Sequence, residues 1–169
     1  KLDGTGLAKL TNTPGLSECD PSVSEDGTKV NYCVLVPEPE NNSAHLEVWT
    51  INTNGTQPKR IYTAGTPFKA SAHDPEFSPD GKRSIFSMVN SQVPPNFPNI
   101  PAANTAHDIW SVKLDGTGLQ RLTKPGPISM IPDWQGDAVI YTEVSEKDNY
   151  SGTSIINAQD TEQTPRRIK

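Results

Sequence analysis

The heptapeptide Lys1-Leu2-Asp3-Gly4-Thr5-Gly6-Leu7 recurs unchanged as Lys113-Leu114-Asp115-Gly116-Thr117-Gly118-Leu119, so the chain holds at least two copies of one structural unit. In each copy an Asp-Gly turn leads into a short alternating run, Leu7-Ala8-Lys9-Leu10-Thr11 or Leu119-Gln120-Arg121-Leu122-Thr123. That pattern reads as the second half of a β-hairpin. Weaker copies follow the same plan: Asn52-Thr53-Asn54-Gly55 leads to Pro58-Lys59-Arg60-Ile61-Tyr62-Thr63, and Asn157-Ala158-Gln159-Asp160 leads to Pro165-Arg166-Arg167-Ile168-Lys169. The turns at Gly4, Gly55, Gly116 and Asp160 lie roughly 45 to 60 residues apart, a period that signals stacked supersecondary units.

With 16 prolines and 12 glycines in 169 residues, turns are plentiful and long helices disfavoured, so the units are expected to be all-β. The net charge is -5, and no Lys/Arg block exceeds a doublet such as Lys59-Arg60 or Arg166-Arg167. Nucleic-acid binding through phosphates is therefore not expected. No apolar run approaches the roughly 20 residues of a membrane-spanning helix. The chain has no initiator Met and begins inside a repeat, which points to a longer or processed parent.

A second recurring block precedes each of these turns. Cys19-Asp20-Pro21-Ser22-Val23-Ser24-Glu25-Asp26-Gly27 runs on through Thr28-Lys29-Val30-Asn31-Tyr32-Cys33 as strand, tight turn and strand. Its counterpart, Asp74-Pro75-Glu76-Phe77-Ser78-Pro79-Asp80-Gly81-Lys82, places Pro and Gly where the turn needs them. The third copy, Pro132-Asp133-Trp134-Gln135-Gly136-Asp137, lacks two turn residues and has Ile131 in place of the leading Asp. Third strands follow at Leu46-Glu47-Val48-Trp49-Thr50-Ile51, Asp108-Ile109-Trp110-Ser111-Val112 and Thr153-Ser154-Ile155-Ile156, and the runs after the Asp-Gly turns supply fourth strands. Four antiparallel strands with apolar inner strands suit a sheet packed between two others.

Asp-Pro-x-apolar-Ser-Pro-Asp-Gly-Lys, then apolar-Trp-x-apolar, then Leu-Asp-Gly-Thr-Gly-Leu-x-Arg-Leu-Thr resembles the repeat of TolB-type, WD40-like β-propellers. The resemblance divides the chain into blades at 19–63, 72–123 and 131–169, the last degraded, with 1–11 as the end of a preceding blade. Propellers close with about 4 to 8 blades. Three blades are therefore expected to leave apolar faces for additional blades of the parent chain or for another subunit. Such propellers occur alone, in envelope complexes and ahead of catalytic domains, so the fold leaves function open.

Loops between second and third strands vary most and should open on one side of the disc. The middle loop carries Pro94, Pro95, Phe97, Pro98, Ile100 and Pro101, whose prolines make either a semi-rigid arm suited to contacting a protein partner or lining a pocket, or a tolerated insertion packed over its own blade. His45, His73 and His107 fall near strand starts on that same side. Three imidazoles there could hold a divalent metal, as in some propeller lyases acting on acidic polysaccharides, or be ordinary strand-end histidines. No His pair is close in sequence, and the three are expected to lie apart on neighbouring blades.

Asp20 and Asp74, each before Pro, are expected to accept backbone N–H bonds and pin the loop entering the innermost strand; the alternative, cation binding along the channel, has Ile131 of the third copy against it. If Glu25-Asp26-Gly27 is a three-residue loop, Ser24 faces Thr28 and Cys19 falls opposite Cys33, within disulfide reach. The two remain either a disulfide, which would imply an oxidising compartment, or a pair of buried thiols. The triplets beginning at Asn41, Asn54 and Asn149 fit glycosylation sequons and are compatible with export. No Gly-x-Ser-x-Gly, His-Glu-x-x-His or phosphate-cradling glycine loop occurs, so no catalytic residue is singled out and no cofactor is expected. The expected function is a non-catalytic interaction scaffold in a periplasmic or extracellular setting. The alternative is the propeller portion of an enzyme, either a prolyl-oligopeptidase-like peptidase or a metal-dependent polysaccharide lyase.

Overall fold

In a computed structural model describing residues 3–41, 43–63, 71–89, 107–124, 126–160 and 164–168, the chain forms three four-stranded antiparallel sheets. Blade A comprises β1 (Ser17–Val23), β2 (Lys29–Glu38), β3 (Ser43–Asn52) and β4 (Lys59–Tyr62), with a 3-10 turn at Pro39–Asn41. Blade B comprises β5 (Ala72–Phe77), β6 (Arg83–Val89), β7 (His107–Lys113) and β8 (Gln120–Arg121). Blade C comprises β9 (Ile128–Gln135), β10 (Ala138–Ser145), β11 (Tyr150–Asn157) and β12 (Arg166–Arg167). Each sheet is a simple meander in which strand order follows chain order.

Side chains of the turns explain why the repeats fold alike. The Thr56 and Thr117 amides and hydroxyls donate to Asn54 Oδ1 and Asp115 Oδ1 at 2.6 to 3.1 Å, while Gly55 and Gly116 take φ of 80° and 92°. A Cβ there would also meet the carbonyl of the preceding unit, Leu10 O at 3.3 Å from Gly55 and Ile61 O at 3.4 Å from Gly116. In the inner hairpins the Ser24 and Ser78 hydroxyls each donate to Asp26 or Asp80 at 2.7 Å. Those bonds, reinforced by the Thr28 amide, hold the Asp26 carboxyl down at about 2.

The innermost strand of every blade carries the same bulge. Cys19 faces Cys33 and Ser22 faces Asn31, so Asp20 and Pro21 together oppose the single residue Tyr32. Asp74 and Pro75 oppose Phe86, and Ile131 and Pro132 oppose Tyr141. The residue before each proline has φ of 52° to 54°, the left-handed region that costs a non-glycine residue energy and most of all a β-branched one. Asp20 and Asp74 thus stand inside the strand, not in the loop entering it. The expected Cys19–Cys33 pairing is present, but by another route. Val23 faces Val30, one residue out of the register that a Ser24–Thr28 closure requires, and the bulge restores the offset before Cys19 is reached.

The three sheets stack in order. The back of A meets the front of B through Val48, Ile61, Ala72, Phe86, Met88 and Val112. The back of B meets the front of C through Ile85, Ile109, Trp134, Val139, Tyr141 and Ile156. The flanks differ from one another. The front of A, with Val30, Tyr32, Val34 and Ile51, is buried, contrary to the expectation of a wet face, and Leu10 of the segment before β1 comes down at its rim. Coverage there is incomplete: Val23 is 60% exposed where its counterparts Phe77 and Trp134 are 7% and 8%. On the back of C, Ile140 and Ile155 are half-buried, whereas their counterparts Asn31, Thr50, Ile85 and Ser111 are buried.

Each blade ties its fourth strand down with an arginine on a buried carboxylate. Arg60 Nη1 donates to Glu47 at 3.0 Å, Arg121 bonds Asp108, and Arg167 Nη2 donates to Glu143 at 2.7 Å. Glu47 and Asp108 lie on third strands, but Glu143 lies on the second strand of blade C, directly across from Gly152. A Cβ on Gly152 would meet the Tyr150 hydroxyl at 3.0 Å, so the acid sits one strand over and reaches the same arginine. Tyr150 also lies beneath the Arg167 guanidinium at 4.3 Å, as Trp110 lies beneath Arg121.

Candidate functional site

The innermost strands bring two groups of polar side chains together, one at each end of the sheet stack. At the hairpin-turn end, Glu25, Glu76 and Asp133 line a cleft of about 510 Å³ together with Val23, Pro79 and Gln135. Glu76 follows the Asp74-Pro75 bulge and Asp133 follows Ile131-Pro132, so the bulge turns equivalent positions of two blades toward one space. Burial and the neighbouring Asp133 charge raise the Glu76 carboxyl above the ordinary glutamate value, with the charge of Asp74 acting in the same direction. Such a cleft favours cations and hydrogen-bond donors. Neither Glu76 nor Asp133 was singled out by the sequence reading, although their shared position, directly after an X-Pro pair in the innermost strand, marks them as counterparts.

At the opposite end, the ligand atoms of Cys19, Asp20 and Cys33 lie within 4.8 Å of one another. Both thiols are free, and the Cys33 thiol donates to Ala72 O of the next blade at 3.2 Å. Burial, then the Asp20 charge, pushes the Cys19 thiol up to about 11. Burial, then Cys19, Asp20 and Asp74, pushes the Cys33 thiol higher still. In blade B the corresponding pair is His73 and Ser87, and the Ser87 hydroxyl donates to Asp74 at 3.2 Å. In blade C it is Met130 and Thr142.

The three histidines do not converge. His73 and His107 belong to one blade, not to neighbouring ones, and their rings stack with centroids 6.0 Å apart. His45 stands on blade A with its Nδ1 at 2.7 Å from Glu38 and its Nε2 at 3.6 Å from Glu47. The arm of Pro94, Pro95, Phe97, Pro98, Ile100 and Pro101 lies outside the described residues. Among the described residues no helix is long and apolar enough to cross a membrane.

No protein-family model matches the chain, and no curated protein matches it. Solved structures do resemble it. A TolB-type protein from Agrobacterium tumefaciens superposes with a TM-score of 0.66 at 14% identity, covering 94% of this chain and 50% of that one. TolB from Acinetobacter baumannii gives 0.58 at 17% identity, covering 94% of this chain and 33% of that one. The tricorn protease gives 0.68 at 9% identity, covering 92% of this chain and 19% of that one. The chain therefore spans half the length or less of the proteins it resembles, and at these identities the likeness is one of fold: three successive blades of a TolB-like β-propeller.

Proposed function

We propose that this chain is part of a TolB-like β-propeller serving as a non-catalytic protein-interaction scaffold in an exported compartment, periplasmic or extracellular. The observation that supports it most is the bulge shared by all three innermost strands. Strained left-handed residues kept at the same place in each blade, with carboxylates gathered beside them, are the mark of a surface kept for contact. An extended peptide segment offering N–H groups or basic side chains matches the acidic cleft at one end. The proline-rich sequence from Pro94 to Pro101 offers Phe97 and Ile100 as apolar anchors for a partner.

The half-exposed back of blade C is the place for further blades, contributed by the parent chain or by another subunit. The stretch 1–11 reads as the outer strand of a blade ahead of A, because Leu10 O lies on Gly55 as Ile61 O lies on Gly116. In the full-length protein, removing Pro94 to Pro101 lowers recovery of the bound partner, and equal recovery rejects the arm as a contact.

A second reading rests on the likeness to the tricorn protease: the propeller portion of a peptidase. A hydrolase domain encoded after Lys169 in the parent reading frame would establish that reading over the scaffold. The polysaccharide-lyase reading requires a bound divalent metal that is lost in His73→Ala and His107→Ala.

A further inference from the structure

We propose that Cys19, Asp20 and Cys33 form a binding site for a single zinc-type divalent cation, set into the innermost strand of blade A. Two sulfurs and a carboxylate oxygen are the donor set that borderline-soft d10 cations select over calcium or magnesium. Their mutual distances, all within 4.8 Å, need only small side-chain rotations to reach the roughly 3.8 Å edges implied by zinc–sulfur bonds of about 2.3 Å.

The backbone brings the donors together before any metal arrives. The cysteines are directly opposed across the β1–β2 ladder, and the left-handed backbone at Asp20 places its carboxylate beside them. Three protein donors leave a fourth position for water or a substrate group. Cys19 is half-buried, so the site has a way in from solvent.

Comparison of the blades sharpens the assignment. In blade B the bulge carboxylate, Asp74, takes a hydrogen bond from the Ser87 hydroxyl. Blade A has Cys33 at the position of Ser87, and a thiol is a weak donor. Asp20 therefore faces two thiols, with the further negative charge of Asp74 acting across from blade B. A divalent cation relieves that crowding. Each thiol passes its proton to water as its sulfur bonds the metal, so one metal releases two protons, and affinity rises about 100-fold per pH unit while both thiols are protonated.

The test is a titration of the chain, reduced with a phosphine and shown to hold two free thiols, with cadmium chloride at neutral pH. One equivalent of Cd²⁺ should produce a thiolate-to-cadmium charge-transfer band. Cys19→Ser should halve the band and weaken binding at least 100-fold, and Asp20→Asn should keep the band while weakening binding about 10- to 100-fold. No band at one equivalent overturns the proposal, as does a full band in Cys19→Ser. Should Cys19→Ser fail to fold, Asp20→Asn decides alone, and unchanged affinity there removes the three-donor site.

Discussion

The two blade junctions share an apolar core and differ in what is added to it. Between A and B, Asn31 Nδ2 donates to Ser84 Oγ at 3.0 Å with both residues fully buried, and the Cys33 thiol donates to a backbone carbonyl. Between B and C, Ile85 and Ile109 press on Trp134, Val139 and Tyr141. Both junctions thus bury apolar area, and the A–B junction adds directional polar contacts to it. The apolar clusters should carry most of the stability at both junctions, and the polar contacts should fix the register of A on B, since a buried hydrogen bond adds little net energy but is costly to break.

The largest effect expected is at the junction of B and C. Tyr141→Ala empties the space against Ile85 and Ile109 and should cost about 3 to 5 kcal/mol, read from chemical denaturation. At the A–B junction Asn31→Ala leaves the buried Ser84 hydroxyl without its donor and should cost about 1 to 3 kcal/mol. The double change Asn31→Val with Ser84→Ala removes the buried polar pair from that junction and should return much of the loss. If it does not, the two junctions are not interchangeable solutions.

A smaller, stabilising change is expected at the bulge of blade C. Ile131 is β-branched at φ 54° and more than half exposed, so Ile131→Asn should raise stability by about 1 kcal/mol, read as a higher melting midpoint. The smallest effect concerns Glu76. Its carboxyl is raised in the folded state, so folding is favoured below the glutamate range and loses stability as pH climbs through the unfolded value toward the folded one. Glu76→Gln should therefore raise the midpoint at neutral pH, on the order of 1 °C, and the difference should vanish on acidification.

The strand order, the turns and the blade count were readable because turn chemistry is local. Asp-Gly with a following Thr names its own hydrogen bonds, and Trp49 and Trp110 declare equivalent ladder positions opposite Arg60 and Arg121. The bulges were not readable. Asp-Pro is ordinary turn vocabulary, and only the packing of Tyr32, Phe86 and Tyr141 against their neighbours decides that the pair stays within a strand. For the same reason the register near Val23 was displaced by one residue even though Cys19 was matched with its true partner. The acidic cleft was illegible because Glu76 and Asp133 come from separate blades and meet only through stacking.

The displaced carboxylate of blade C bears on how such units diverge. Matched residue by residue, Gly152 stands where Glu47 and Asp108 carry charge and looks like a loss. Traced through space, Arg167 still grips an acid, now Glu143, because facing positions on adjacent strands open onto the same small volume. Selection in a repeat can therefore act on a location while leaving any one alignment column free to drift, and a comparison confined to columns will mistake relocation for decay.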